Sequence, residues 1–316
     1  MNSLKASIRL AMLRRTLHGR FQTHNVRIIT STPRSGSTLF SQLFGCSKRC
    51  CVLFEPLHLN EVPEAKRAGF DWHTYREADA DWPEGKDFFL SLFEGRLANH
   101  WMLREAASLA EVRKADTLII KFVRANRLLP WLCNQFDLRP PIQLLRHPCG
   151  VIASQMSRSW VNTRPPEPPA YLHDFPVFRE LLGSLRTEVE MLAATWALDQ
   201  LPAFLYGSTD RWRYFTYEEI LQDTEETVAA IIDLWGLDAD LGSVTSAMDK
   251  PSSVVGSGGI QGLAGWKKTL SPAQVQQIMR VVQSFGLDFY DIDGQVDVNK
   301  LNNEYLGARI RDVGCR

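Results

Sequence analysis

The chain of 316 residues balances 36 Lys and Arg against 36 Asp and Glu, so no global field draws it to nucleic acid or to an anionic membrane. With 45% hydrophobic and 23% charged residues, nine Trp and sixteen Phe, it can bury a sizeable core, which excludes a disordered chain. No stretch approaches the roughly 20 apolar residues of a membrane span, and the six Cys include neither a CxxC pair nor a Cys-His set at zinc spacing.

These features set the first expectations: free thiols, no metal site, no nucleic-acid partner and a cytoplasmic location. The opening stretch SLKASIRLAMLRRTLHGR is basic, amphipathic and without acids, and residues 1–25 read as a leader or as a leading helix packed on the domain. From residue 26 onward one domain is expected. Short apolar runs at Val26 to Ser31, Val52 to Phe54, Leu118 to Val123, Ile142 to Leu145 and Trp212 to Thr216 read as strands. Several lack polar alternation, as strands buried on both faces do. Helical patterns separate or follow them, at Thr38 to Phe44, Gly150 to Arg158, Phe178 to Leu205, Thr224 to Trp235 and Pro272 to Phe285. This alternation predicts an α/β three-layer sandwich, a central parallel sheet flanked by helices. Two segments interrupt it. NTRPPEPPAYLHDFP, residues 162–176, carries five prolines and reads as an extended loop, a candidate acceptor-side flap. KPSSVVGSGGIQG, residues 250–262, reads as a flexible Gly- and Ser-rich loop.

The stretch IITSTPRSGSTLFSQLF, residues 28–44, breaks from an apolar strand into Pro, Arg, Gly and hydroxyl side chains before a helix resumes. Unpaired N–H groups at that helix start, the helix dipole, Gly36 for close approach, the hydroxyls of Ser35, Ser37 and Thr38 and the charge of Arg34 together suit a phosphate-like group. The Walker pattern is absent, since no Lys precedes Ser37. The segment instead resembles the PRSGST or PKSGTT loop by which sulfotransferases hold the 5′-phosphosulfate of 3′-phosphoadenosine 5′-phosphosulfate (PAPS), on a P-loop-like nucleotide-binding fold.

That resemblance implies a second signature, and IQLLRHPCGVIASQMS is similar to it, with Arg146 and Ser154 eight apart. In the family these residues clamp the 3′-phosphate. LIIKFVRANRLLP resembles the Lys-bearing strand, with Lys121 at the bridging oxygen of the donor. YFTYEEILQD resembles the segment whose tyrosine, here Tyr217, sits near the adenine. GSGGIQGLAGWKKTLSP resembles the late loop that closes over the donor and implies Trp266, Lys267 and Lys268 beside it. CVLFEPLHLN is similar to the Glu-Pro stretch of carbohydrate-type and bacterial members and implies Glu55 as general base, with His58 as the substitute. The histidine that cytosolic aryl and steroid members place two residues after the lysine is here Val123.

The resemblance thus implies sulfuryl transfer from PAPS to a hydroxyl or amine of a small metabolite or glycan, with no metal. The competing expectations are a P-loop-type kinase or nucleotide hydrolase and an inactive binding protein of the same fold. Trp72, Trp82, Trp101 and Trp160, with the proline-rich loop, are candidate walls of an acceptor pocket. Neither the acceptor nor the oligomeric state is fixed by the sequence.

Overall fold

The computed structural model describes residues 2–45, 49–104, 109–159, 164–206, 210–245, 263–303 and 305–315. The apolar runs form β1 (Val26–Ser31), β2 (Cys50–Phe54), β3 (Thr117–Phe122), β4 (Ile142–Leu145) and β5 (Arg213–Thr216). They make one five-stranded sheet in the order β2-β3-β1-β4-β5, with every neighbouring pair parallel. β1 is central, with Ile29 registered against Lys121 on one side and Ile142 on the other.

Strand periodicity explains why these runs are largely apolar. Successive side chains point to opposite faces, and both faces are covered. On one face Ile28, Cys51, Leu53, Leu118 and Ile120 pack with Phe89 and Trp131. On the other, Ile29, Val52, Ile119, Ile142 and Leu144 pack with Phe40, Phe44 and Trp235, from the Ser37–Gly45 and Thr224–Trp235 helices. A further core gathers Leu145, Ile152, the Glu188–Tyr206 helix and the Pro272–Ser284 helix.

Where the structure departs from expectation, local chemistry gives the reason. The helical pattern from Phe178 to Leu205 is two helices, Pro176–Ser184 and Glu188–Tyr206. Thr187 and Glu190 part them: Glu190 Oε2 accepts from the N–H groups of Arg186 and Thr187 at 2.9 Å each, and Thr187 Oγ1 accepts from Glu190 N. That reciprocal cap starts a new helix. The proline-rich segment is extended and largely exposed from residue 164 to 169. Its end folds into the core through Tyr171, Leu172 and Phe175, and the Tyr171 hydroxyl donates to Leu198 O at 2.6 Å. The Asn2–Leu17 helix buries Leu13 and Leu17 in the core that holds Val26 and Ile28, and Arg14 donates to Ala98 O. The Gly- and Ser-rich stretch up to residue 262, Trp160 and residues 162–163 lie outside the described residues. No helix among the described residues is long and apolar enough to cross a membrane.

Trp131 is the centre of the aromatic core, against Trp82, Phe89 and Phe136, and its Nε1 donates to Ala80 O at 2.9 Å. Trp131→Ala therefore leaves a cavity and should lower unfolding free energy by about 3 to 5 kcal/mol, read from urea denaturation. A loss below about 1 kcal/mol would contradict this packing.

Candidate active site

Every candidate residue that precedes the late Trp-Lys-Lys stretch follows the C-terminal end of a strand or sits on its last turns. Glu55 and His58 follow β2, Lys121 ends β3, residues 34–38 follow β1, Arg146 follows β4 and Tyr217 follows β5. In a parallel sheet this edge is where a crevice forms, at the point where strand order reverses. Here that point is β1, with β3 added on one side and β4 on the other.

The loop after β1 closes tightly. Ser35 N donates to Thr32 O at 3.2 Å, and the two hydroxyls lie 2.6 Å apart. Arg34 has φ 79° and Gly36 φ 87°. Only glycine fits at the second position, because a side-chain carbon there would run into the Tyr217 ring. Ser35 and Ser37 are buried, and Ser31 Oγ at the strand end is buried without a hydrogen-bond partner. The Ser37–Gly45 helix leaves its first N–H groups facing this concavity, with Phe40 N the first to bond back, to Gly36 O.

The second motif lies against the first. Arg34 Nε donates to Ser154 Oγ at 2.9 Å, Arg146 Nη1 donates to Arg34 O at 3.0 Å, and Gln155 Nε2 donates to Pro33 O at 3.2 Å. The Arg146 guanidinium stacks 4.5 Å from the centre of the Tyr217 ring. Arg34 sits below its ordinary guanidinium range because of burial first, then the charges of Arg158 and Arg146, with Glu55 opposing. None of these arginines has a carboxylate within ion-pair distance among the described residues. Arg158 was not singled out from the sequence. Its spacing of four from Ser154, which puts both near one helix face, was the available signal.

Lys121 and Glu55 meet across adjacent strands, where Phe54 is registered with Lys121. Lys121 Nζ donates to Glu55 Oε1 at 2.6 Å and lies 4.0 Å from the centre of the Phe54 ring. The lysine is 1% exposed, so its charge is compensated by that carboxylate rather than by bulk water. Glu55 has φ 42°, a left-handed conformation costly for any residue with a side chain. Its backbone is held there by Glu55 N donating to Lys121 O at 2.8 Å and by Trp101 Nε1 and His58 N donating to Glu55 O. His58 lies between the rings of Trp72 and Trp101, with Nδ1 buried and without a hydrogen bond. Burial, then the charge of Arg124, holds its pKa below the usual range against Glu55 and Glu61.

A cavity of about 310 Å³ opens where Trp72, which packs on His58, forms one wall. Pro33 and Gln155 form its loop side, Trp72, Val123 and Leu192 its apolar walls, and Arg124, Arg127, His73 and Asp199 its polar ones. Of the tryptophans expected to line an acceptor pocket, Trp72 does so, Trp101 supports His58, and Trp82 is core, packed on Phe70 and Trp131. Arg124 and Arg127 follow Lys121 closely in sequence, and no spacing of their own marks them as site residues. Asp199 and His73 come from distant segments and carry no local signal.

A sequence profile described as the sulfotransferase family matches residues 28–240, more than half of the chain. The chain belongs to the sulfotransferase family. Comparison with curated proteins gives no match. Among solved structures it resembles the sulfotransferase domain of the Synechococcus PCC 7002 olefin synthase, at 18% identity over 86% of this chain and 98% of that one, TM-score 0.47. It also resembles the sulfotransferase domain from the curacin biosynthetic pathway, at 15% over 83% and 98%, TM-score 0.44. A third is mouse sulfotransferase SULT7A1 complexed with PAP, at 12% over 95% of each chain, TM-score 0.42.

In this sulfotransferase the late Trp-Lys-Lys stretch makes its contacts outside the 34–38 loop. Trp266 is buried and stacks on His147, ring centres 5.1 Å apart and planes within 1°. Lys267 pairs with Asp293 at 3.3 Å, and Lys267 and Lys268 are exposed. His147 sits directly behind Arg146. Its Nδ1 accepts from Cys149 N, capping the Pro148–Met156 helix, so the ring proton is on Nε2, which donates to Asp291 O at 2.8 Å. Glu218 Oε1 accepts from His147 N at 3.1 Å and Oε2 from the Tyr290 hydroxyl at 3.1 Å.

Burial pushes His147 down to about 4 from 6.5, against the opposing Asp291 carbonyl. Between those values the unfolded chain binds the proton and the folded one does not. Stability from this group is therefore full above the window and is lost as pH falls through it. His147→Asn keeps a capping acceptor without the titration. Its melting temperature should fall less than wild type's between pH 6.5 and about 4, and equal slopes would contradict the assignment.

Proposed function

We infer that the protein transfers a sulfuryl group from PAPS to a hydroxyl or amine of a small metabolite or glycan. The observation that carries this reading is the crowding of Arg34, Arg146 and Arg158 around the loop of residues 34–38. Like charges in a partly buried site raise one another's cost, and an anion with several phosphate oxygens relieves it. The chain has no net charge, so this cluster is a local arrangement rather than a general basic surface.

In this reading Arg146, Ser154 and Arg158 hold the 3′-phosphate. The backbone N–H groups and hydroxyls of Ser35 to Thr38, with Arg34, hold the 5′-phosphosulfate. Tyr217, wedged between Gly36 and the Arg146 guanidinium, sits near the adenine. Trp266 contributes from behind, by packing on His147 and so bracing Arg146, while Lys267, already paired with Asp293, and exposed Lys268 are assigned to the open side of the donor.

The reacting hydroxyl approaches from the cavity, in line with the bond to be broken. A bond forms from its oxygen to sulfur as the bond from sulfur to the bridging oxygen breaks, and that electron pair stays on the departing bisphosphate. Lys121 and the loop donors stabilise the charge growing there. The acceptor proton passes to Glu55. Their 2.6 Å contact links the two roles: as Lys121 turns to the leaving oxygen, it releases the carboxylate that takes the proton. His58, with its unpartnered Nδ1, is the reserve acid–base group.

Two measurements test the reading. Arg146→Ala should weaken binding of PAPS and of its bisphosphate product, yet leave adenosine 5′-phosphosulfate, which lacks the 3′-phosphate, nearly unchanged; equal losses for both would overturn the clamp. Glu55→Gln should cut kcat by roughly 10² to 10⁴ with donor affinity little altered. Turnover near wild type with every acceptor tried would shift the base to His58.

A further inference from the structure

We propose that the acceptor carries a carboxylate, and that Arg124 binds it in the cavity walled by Trp72. The proposal rests on the sulfuryl-transfer reading for the other end of the acceptor, but its own observations are separate.

The cavity's ionic groups do not cancel. Arg127 Nε donates to Asp199 Oδ1 at 2.8 Å, and His73 Nδ1 lies 3.3 Å from the same oxygen, so that carboxylate is already engaged. Asp199 itself is held below the usual carboxylate range: burial would raise it, but Arg127 and His73 together outweigh burial. Lys121 and Glu55 likewise form a pair. Arg124 is left over. It makes no hydrogen bond or ion pair with any described residue, and its one close partner is the Trp72 ring, 4.3 Å from its centre. Burial holds its guanidinium below the ordinary range, with Glu55 and Asp199 opposing from a distance.

Geometry turns this surplus charge into a recognition element. A guanidinium stacked on an aromatic face is fixed in plane, and its N–H edges point outward in the fork that matches a carboxylate. Leaving such donors unmet in a partly dry cavity is costly, so a ligand that meets them gains affinity. One guanidinium between apolar walls suits a monoanion; a phosphate dianion would need further countercharge. Trp72, Val123 and Leu192 supply apolar surface in the same cavity as Arg124. A cavity of about 310 Å³ therefore takes a compact hydroxy acid, with its carboxylate on Arg124, its apolar body along Trp72 and its hydroxyl toward Glu55.

The test compares 3-(4-hydroxyphenyl)propanoate with its methyl ester by isothermal titration calorimetry, in the absence of donor. Wild type should bind the acid about tenfold or more tightly than the ester. Arg124→Gln should abolish that preference by weakening the acid alone, and Arg124→Lys should retain part of it. An acid that binds wild type no better than the ester, or a preference that survives Arg124→Gln, would overturn the proposal. Circular dichroism establishes that each variant is folded. A parallel titration with adenosine 3′,5′-bisphosphate reports on the donor site alone, so failure there would sink the transferase reading without deciding the acid site.

Discussion

Two guanidinium groups, Arg34 and Arg146, are held at one loop, with exposed Arg158 near enough to act on the charge of Arg34, and none of the three has an acid paired to it among the described residues. An arrangement of that kind opposes folding unless something else secures it, because each charge raises the cost of its neighbours. What secures it is the sheet. β1 and β4 are adjacent parallel strands with fixed register, so the loop after one and the arginine after the other emerge side by side. The Arg146 donation to Arg34 O and the Arg34 donation to Ser154 Oγ then lock two segments more than a hundred residues apart.

Backbone strain marks the same place. The non-glycine residues with positive φ among the described residues are Arg34, Glu55 and Ser159. The first opens the loop after β1, the second presents the carboxylate beside Lys121, and the third follows Arg158. Strained conformations persist where their surroundings over-determine them. For Glu55 those surroundings are visible as hydrogen bonds from Trp101 and His58 and to the carbonyl of Lys121. Behind Arg146 the support is a buried neutral histidine, stacked on Trp266 and held by Glu218 and the Asp291 carbonyl. Rigid support of this kind is what charge stabilisation in a transition state requires, since donors that must reorganise lose much of their effect.

Much of this was legible in the sequence, for identifiable reasons. β1 and β4 have the bounds that their largely apolar runs predict, because both strands are buried along their whole length. The loop at Arg34 to Thr38 and the Arg146 and Ser154 pair were readable because strand-turn-helix corners keep their chemistry in a short segment. The break between the two helices at residues 185–187 was also written locally, as a Thr-Glu capping box, and an unbroken apolar pattern concealed it. The cavity lined by Arg124 and Asp199 was less legible. Trp72 was among the candidate wall residues, but Arg124, Leu192 and Asp199 come from segments that meet only once the sheet has been covered, and no local spacing announces them. Trp82 shows the converse, a residue type suited to a binding wall that packing assigns to the core.

The central claim is that the arginine cluster and the loop after β1 grip the two ends of one bisphosphate. A crystal structure with adenosine 3′,5′-bisphosphate tests it most directly. The account predicts the 3′-phosphate within hydrogen-bond distance of Arg146 and Ser154, the 5′-phosphate on the N–H groups of residues 35–38, and Arg34 released from Ser154 Oγ. Density for the nucleotide elsewhere, or with its 3′-phosphate turned away from Arg146, would contradict it.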